Sequence, residues 1–297
     1  MRKKNKKISE ISFKDIKSYI QQERYKIKKD ISDFTKLPEK IYEDMNPVFV
    51  VSTGRVGSEL LVKLMKKTKI GSIYHEPYPR MFLGSKIAYE MGPENMSAKK
   101  IAFLNARYFL LKTAYLHDKR FIETNNRTTF FMDAIAEIFP KAKFIHIIRH
   151  PGGFVRSGLR RNYYIGNEND DGRLTPRMGN PISTNWEGMK QIEKISWLWN
   201  ETNSFIEQKK NSIQKERILT MFSTELFTNP NTFQLVCEFL ECEALSTKHI
   251  ENIIKKPINK QKQGHVGKWE TWSENDISLL KEWTPLGREY GFWSESK

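Results

Sequence analysis

The chain has few cysteines and no long apolar run. Its 297 residues include only 2 cysteines, and Cys237 and Cys242 lie five positions apart on a predicted helix, where they are poorly placed to bridge each other. Neither a disulfide framework nor a thiolate metal site is supported, so a cytoplasmic location is expected. No stretch approaches the ~18 consecutive apolar residues of a membrane span, and the RKKNKK start lacks the apolar run of a secretory signal.

Acidic residues are also too few to balance the basic ones. The 50 Lys and Arg against 35 Asp and Glu leave a net charge of +15, which would attract phosphates, sulfates, acidic glycans, nucleic acid or anionic lipid. Residues 1–45 are lysine-rich with apolar positions near helical spacing, which predicts a basic, helical N-terminal extension before a domain at 46–297. No His, Cys or Asp cluster has metal-ligand spacing, so no metal is expected.

From residue 46 onward, short apolar segments alternate with amphipathic ones. The predicted strands are VFVVS, GSIYH, RFIETN, KFIHIIR and RILTMF. Strands that alternate with helices imply right-handed crossovers and an α/β fold with a central, mainly parallel sheet flanked by helices. In such sheets, ligands bind beyond the carboxyl ends of the strands. Residues 166–185 predict a long loop, and DISLLKEWTPLGREYGFW predicts a terminal helix with an aromatic tail.

Two strand-to-helix junctions are the most informative segments, PVFVVSTGRVGSELLVKLM at 47–65 and AKFIHIIRHPGGFVRSGLRR at 142–161. In each, a buried strand runs into a basic turn with glycine and then into a helix. The turn favours anions because the first helical N–H groups lack partners and the helix dipole attracts negative charge. Two such sites on one sheet predict a ligand with two separated phosphate-like groups.

The first junction supplies donors for an anion but lacks the lysine of an ATP-binding loop. Gly54 and Gly57 allow the backbone to approach an anion, Arg55 offers a guanidinium and Ser58 a hydroxyl. A Walker A loop requires G-x-x-x-x-G-K-[ST], whereas Ser58 and Glu59 follow Gly57, so ATP-Mg chemistry is disfavoured. Glu59 suits the helix dipole but would repel a phosphate.

The second junction places a strand-end arginine eight residues before a serine. Arg149 closes KFIHIIR and Ser157 lies in the following helix, a spacing that lets both converge on one anion. Arg156, Arg160 and Arg161 add positive charge. The alternative is a basic helix whose charged face is solvated.

These motifs resemble the sulfotransferases that use 3′-phosphoadenosine 5′-phosphosulfate (PAPS). RVGS at 55–58 is similar to the family's RxGS[ST] loop for the 5′-phosphosulfate, and Arg149 with Ser157 is similar to its pair for the 3′-phosphate. FPKAKFIHIIRHP resembles FPxAKFIxxxRDP, with His150 in place of Asp, and KQGHVGKW at 262–269 resembles the family's C-terminal loop. The likeness spans roughly residues 47–285.

The resemblance implies a three-layer P-loop-like fold, PAPS as co-substrate and no metal. It also implies a set of cofactor-binding residues, with Arg55 as the electrophilic group during transfer. The implied set is Gly54, Arg55, Val56, Gly57, Ser58, Glu59, Arg149, Ser157, Val266, Gly267 and Lys268.

Two neighbouring residues compete for the role of catalytic base. Glu76 follows the second strand, where bacterial and carbohydrate members resemble it in carrying a catalytic Glu, whereas cytosolic members use a His, for which His75 is the local candidate. Alternation along a strand predicts that the two side chains point to opposite sides, so that only one faces the site. Glu76 is favoured.

The expected activity is transfer of a sulfuryl group from PAPS to a hydroxyl, or alternatively an amine, of a carbohydrate or small-molecule acceptor. Nucleic acid is not an expected partner. Two other interpretations stay open: a P-loop-type nucleotide kinase, and a non-catalytic module that binds polyanions through its surface charge.

Overall fold

The computed structural model describes residues 40–167, 169–255 and 266–293. Its strands are β1 (Val48–Val51), β2 (Ser72–His75), β3 (Phe121–Thr124), β4 (Lys143–Ile148) and β5 (Ile218–Phe222). Its α-helices are α1 (Ile41–Asp44), α2 (Ser58–Thr68), α3 (Phe82–Glu90), α4 (Met96–Leu116), α5 (Met132–Ile138), α6 (Pro151–Leu159), α7 (Gln191–Lys210), α8 (Ser223–Thr228), α9 (Pro230–Phe239), α10 (Thr247–Ile254), α11 (Glu274–Glu282) and α12 (Leu286–Glu289).

The five strands form one parallel sheet in the order β2-β3-β1-β4-β5. Each predicted strand is present, and the chain crosses between neighbours through helices, as parallel pairing requires. All five carboxyl ends therefore meet at one edge of the sheet. The predicted α/β class, with a parallel sheet between layers of helices, is confirmed.

Residues of β1 alternate between two apolar layers. Phe49 and Val51 pack with the layer formed largely by α4, α5 and α7. Val48 and Val50 pack with the layer formed by α2, α9 and α10. Because both faces are covered, the strand reads as a continuous apolar run.

The predicted N-terminal extension and the predicted terminal helix lie at the two ends of the chain. Residues 1–39 of the predicted extension lie outside the described residues, while Ile41 and Met45 pack into the core. The single terminal helix is wrong: α11 ends before Trp283 and α12 begins at Leu286. Pro285 stands between them, and its ring and missing N–H do not allow a continuous helix.

A fully buried ion pair joins α4 to β3. Arg107 and Glu123 are both 0% exposed and meet through two hydrogen bonds, Nε to Oε2 at 2.6 Å and Nη2 to Oε1 at 2.8 Å. Arg107 Nη1 also donates to the Pro79 carbonyl at 2.9 Å, and Asn125 Nδ2 donates to Glu123 Oε1 at 2.9 Å. One buried pair thus fixes the segments that follow both β2 and β3.

His146 lies inside β4 and is fully buried. Its Nε2 is 3.1 Å from Asn203 Oδ1. Glu207 Oε1 lies 3.6 Å from Nδ1 but pairs with Lys210 Nζ at 2.8 Å, so desolvation prevails. Burial, followed by the charge of Lys210, lowers the pKa of His146 to about 3. The side chain is therefore a neutral core residue, as its position in a strand predicts.

The buried pair gives a stability prediction. Glu123→Gln keeps the shape of the side chain but leaves the Arg107 charge uncompensated, so we expect a loss of about 3–5 kcal/mol of unfolding free energy, measured by urea denaturation. The matched control is Glu137→Gln, which breaks the partly exposed pair with Lys100 and should cost less than about 1 kcal/mol. Equal losses in the two variants would contradict this account.

His146 gives a pH prediction. The unfolded chain takes up a proton on this histidine near its ordinary pKa of 6.5, whereas the folded chain does so only near 3. Stability is therefore full above pH 6.5 and falls as the pH drops, by up to about 1.4 kcal/mol per pH unit. Urea denaturation at pH 7, 6 and 5 should show a shallower slope for His146→Gln than for wild type. The exposed His249→Gln should keep the wild-type slope, and a slope unchanged in both variants would refute the assignment.

Candidate active site

A cleft of about 1140 Å³ lies at the carboxyl edge of the sheet. Each of the five strands contributes a residue to its wall at or just after its end: Ser52 from β1, His75 from β2, Thr124 from β3, Arg149 from β4 and Ser223 from β5. The two predicted junctions therefore open into one cavity, where the topology of a parallel α/β sheet predicts a ligand.

The first junction turns sharply before α2. Gly54, Arg55 and Gly57 have φ angles of +80°, +59° and +91°. A Cβ on Gly57 would lie 2.5 Å from Phe227 Cε2, so a side chain here would displace the Phe227 ring and strain a left-handed backbone. The turn brings Gly54, Arg55, Gly57, Ser58 and Glu59 to the cleft wall.

Hydrogen bonds hold this turn in place from both sides. Ser52 N donates to Thr129 Oγ1 at 3.1 Å, and Gly54 N donates to Ser52 Oγ at 3.1 Å. Ser223 Oγ donates to the Val56 carbonyl at 2.8 Å. The side chain of Val56 is buried in the apolar layer below and does not line the cleft. This member of the predicted cofactor-binding set therefore anchors the turn to the core.

Three arginines crowd one end of the cleft. Arg149 donates from Nη1 to the Arg55 carbonyl. Burial, with the charges of Arg55, Arg161 and Arg156 adding to it, lowers the pKa of Arg149 to about 10. Burial and Arg55 also lower the pKa of Arg161. Like charges held this close, two of them partly desolvated, create a strong field for an anion.

Ser157 takes part in this end of the cleft through Arg161. It is 8% exposed, and its Oγ accepts from Arg161 Nη1 at 2.7 Å. Arg161, unlike Ser157, lines the cleft. Arg161, which the sequence showed only as added basic charge, thus connects the predicted pair: it hydrogen-bonds Ser157, and its charge acts on Arg149.

The predicted C-terminal loop lies against α6. Arg156 Nε donates to the carbonyls of Val266 and Gly267 at 3.0 and 2.8 Å. Lys268 is exposed, and none of the three lines the cleft. Residues 256–265, including the first part of the KQGHVGKW motif, are outside the described residues.

His150 replaces the family's Asp and caps the same helix. Its Nδ1 accepts from Gly152 N at 3.1 Å, as an N-cap side chain does. The ring stacks on Trp269, with centroids 4.5 Å apart. Burial lowers the pKa of His150 to about 4, which keeps Nδ1 an acceptor. His150 thus caps the helix and adds an aromatic contact.

His75 and Glu76, the two candidates for the catalytic base, both line the cleft. The prediction that strand alternation points their side chains to opposite sides is therefore wrong. β2 ends at His75, and Glu76 has a left-handed φ of +45°. A left-handed residue breaks the alternation of side chains. Glu76 Oε2 lies 3.7 Å from Arg127 Nη1, and the carboxylate side chain is 43% exposed.

His75 and Glu59 face each other across the cleft wall. His75 Nδ1 lies 2.7 Å from Thr124 Oγ1, and Nε2 lies 4.0 Å from Glu59 Oε1. The carboxylate at the start of α2 is therefore directed toward the end of β2. This position accounts for an acidic residue that the phosphate-loop pattern does not predict.

Several residues of the cleft were missed in the sequence. Asn126 and Arg127 follow β3, Phe227 lies on α8, and Tyr163 and Arg173 come from the 160–190 region. Only their position after strands or within a long polar loop marked them, and neither property singles out a residue. Their grouping depends on tertiary structure.

Among the described residues, no group of three or more His, Cys, Asp or Glu side chains is arranged to hold a metal ion. In the same part of the chain, no helix combines the length and the apolar character that a membrane crossing needs.

Comparison with known proteins identifies the family. The model of the sulfotransferase family matches residues 47–246, well over half of the chain. A sulfotransferase from Mycobacterium tuberculosis has a similar structure, with 12% identity, a TM-score of 0.50 and coverage of 89% of this chain and 81% of that one. A mouse sulfotransferase solved with PAP has 14% identity, a TM-score of 0.49 and coverage of 89% and 96%. No curated protein sequence matches the chain. The chain belongs to the sulfotransferase family, which confirms the resemblance found in its motifs.

Proposed function

We propose that this enzyme transfers the sulfuryl group of PAPS to a hydroxyl group of a carbohydrate or small-molecule acceptor. The observation that carries the proposal is the crowding of Arg55, Arg149 and Arg161 at the start of α2 and the end of β4. The exposed guanidinium of Arg55 and the partly buried ones of Arg149 and Arg161, beside a helix N-terminus, match a ligand with several phosphate-like oxygens.

The donor set fits PAPS better than ATP-Mg. Ser58 stands where a Walker loop has its lysine, and the positive charge comes from arginines on two separate junctions. Arginine binds phosphate and sulfate oxygens through two parallel N–H groups and needs no metal bridge. We assign the 5′-phosphosulfate to the turn at 54–59 and the 3′-phosphate to Arg149 with the Ser157–Arg161 pair. A role in binding the 3′-phosphate stays a prediction for Val266, Gly267 and Lys268. This segment lies against α6 and would close over the phosphate from that side.

PAPS supplies an activated sulfuryl group, and the chain's task is to orient the reactants and to balance charge. Arg55 lies at the turn and offers its guanidinium to the oxygen that gains charge as the sulfuryl group leaves. The acceptor hydroxyl must lose its proton to a base within hydrogen-bond reach.

We assign the base to Glu76. Its carboxylate opens into the cleft, with Arg127 beside it at 3.7 Å. His75 is less accessible to an acceptor, because Thr124 Oγ1 lies at Nδ1 and Glu59 faces Nε2. An acceptor would have to enter between His75 and Glu59 to reach the imidazole.

Ligand binding tests the co-substrate. At 100 times its dissociation constant, 3′,5′-ADP should stabilise the protein by about 2.7 kcal/mol, measured as a thermal shift. Arg149→Met keeps the aliphatic stem and removes a charge that crowding disfavours, so its melting temperature without ligand should equal or exceed that of wild type, while its affinity falls roughly 10- to 100-fold. Arg288→Met, at an exposed site away from the cleft, is the control.

Stabilisation by ATP-Mg alone would reject the proposal in favour of a kinase. Salt-sensitive polyanion binding that Arg149→Met leaves intact would favour the non-catalytic module.

Steady-state kinetics tests the base. Glu76→Gln should lower kcat by roughly 100- to 10,000-fold, the usual share of a general base, and leave the calorimetric affinity for 3′,5′-ADP nearly unchanged. His75→Gln keeps a polar group beside Thr124 and should lower kcat much less. The opposite ranking of the two variants would move the base to His75.

A further inference from the structure

A second group of arginines also lines the cleft, and each lies near an aromatic ring. Arg127 is 3.6 Å from the ring centre of Phe82, and Arg173 is 3.4 Å from that of Tyr163. Arg80 lies 4.9 Å from the ring centre of Tyr78. Stacking covers one face of each guanidinium and leaves its in-plane N–H groups to bind a ligand.

Charge on these arginines is only partly compensated. Arg173 Nε donates to Asp170 Oδ1 at 2.8 Å, but that carboxylate also accepts from the N–H of Asn167 at 2.9 Å. Glu76 Oε2 lies 3.7 Å from Arg127 Nη1, which is beyond hydrogen-bond distance. Arg80 has no ion pair with a carboxylate among the described residues.

Two N–H groups of this cluster are buried without an acceptor. Arg80 Nε and Arg127 Nη1 donate to no atom of the residues that the structure describes. Buried donors without a partner are rare, and each costs about 1–3 kcal/mol, or more on a charged group. Unsatisfied donors of this kind persist at binding sites, where a ligand supplies the missing acceptor.

The second group is electrostatically distinct from the first. Burial lowers the pKa of Arg127, with Arg80 and Arg173 adding to the effect, while Glu76 opposes it. The neighbours that lower the pKa of Arg149 are Arg55, Arg161 and Arg156. The two sets share no arginine, and Tyr163 lies beside both Arg127 and Arg161.

We infer that the acceptor carries an oxyanion besides the hydroxyl that becomes sulfated, and that Arg80 and Arg127 bind this oxyanion. The inference rests on the proposed function, because it takes Glu76 as the base. Since Arg127 is the ion-pair partner of Glu76, an anion bound there lies next to the hydroxyl that Glu76 deprotonates. It therefore belongs to the acceptor, and the donor's phosphates stay with the first cluster. A carboxylate and a phosphate ester both fit, because each offers two oxygens to one guanidinium.

Matched acceptors test the inference. With PAPS carrying a labelled sulfuryl group, 4-nitrophenyl β-D-glucuronide is compared with 4-nitrophenyl β-D-glucoside, and glucose 6-phosphate with glucose. The anionic member of at least one pair should have a kcat/KM at least 10-fold higher, as one charge-assisted contact provides. A preference only for the carboxylate or only for the phosphate identifies the source of the oxyanion.

Variants then assign the contact. Arg80→Gln and Arg127→Gln should each reduce the anionic preference by 10-fold or more while 3′,5′-ADP still binds, which also shows that the variants are folded. Arg288→Gln should keep the wild-type preference. Two results would overturn the inference. One is a preference for the neutral acceptor in both pairs. The other is no turnover of either pair, together with no calorimetric binding of either anion to the protein saturated with 3′,5′-ADP. If the wild-type protein does not bind 3′,5′-ADP, the proposed function itself is refuted.

Discussion

Repulsion among the arginines that share the cleft is the constraint on which the rest of the structure depends. The cleft holds Arg55, Arg149 and Arg161 at one end, and burial together with their mutual charge makes the ionised state of Arg149 costly. The folded chain must hold these groups in place without neutralising them, because neutralised cations would not attract the ligand. Stability therefore has to come from elsewhere, and an anionic ligand removes the conflict when it binds.

The scaffold meets this demand by pairing charges behind the cleft and leaving charges uncompensated inside it. Arg107 and Glu123 are fully buried and paired through two hydrogen bonds, and they also hold Pro79 and Asn125. Pro79 precedes Arg80, and Asn125 Oδ1 accepts from the backbone N–H of Arg127 at 3.1 Å. The satisfied pair thus fixes the backbone of two incompletely satisfied arginines. Hydrogen bonds to the pair therefore hold both loops in place, which limits the reorganisation that a ligand would otherwise require.

The strands and the two junctions could be predicted from the sequence, because apolar β-branched runs, glycines and strand-end arginines are local signals. The faces of His75 and Glu76 could not. Strand alternation gives the wrong answer there, since a left-handed φ at Glu76 turns its side chain to the same cavity as His75. Phe227 was missed for another reason: its place beside Gly57 follows from how α8 packs after β5, and an isolated phenylalanine on a helix gives no sign of that contact.

Glu59 connects these observations. A carboxylate in the first turn of α2 suits the helix dipole, yet it stands in the turn that we assign to the phosphosulfate. Its direction toward His75 Nε2, at 4.0 Å, resolves the conflict, because the negative charge lies against β2 and leaves Arg55 and the turn's N–H groups to the anion. The same contact occupies the approach to the imidazole. One acidic residue thus limits His75 as a base and leaves Glu76, next to Arg127, as the carboxylate that an acceptor meets first.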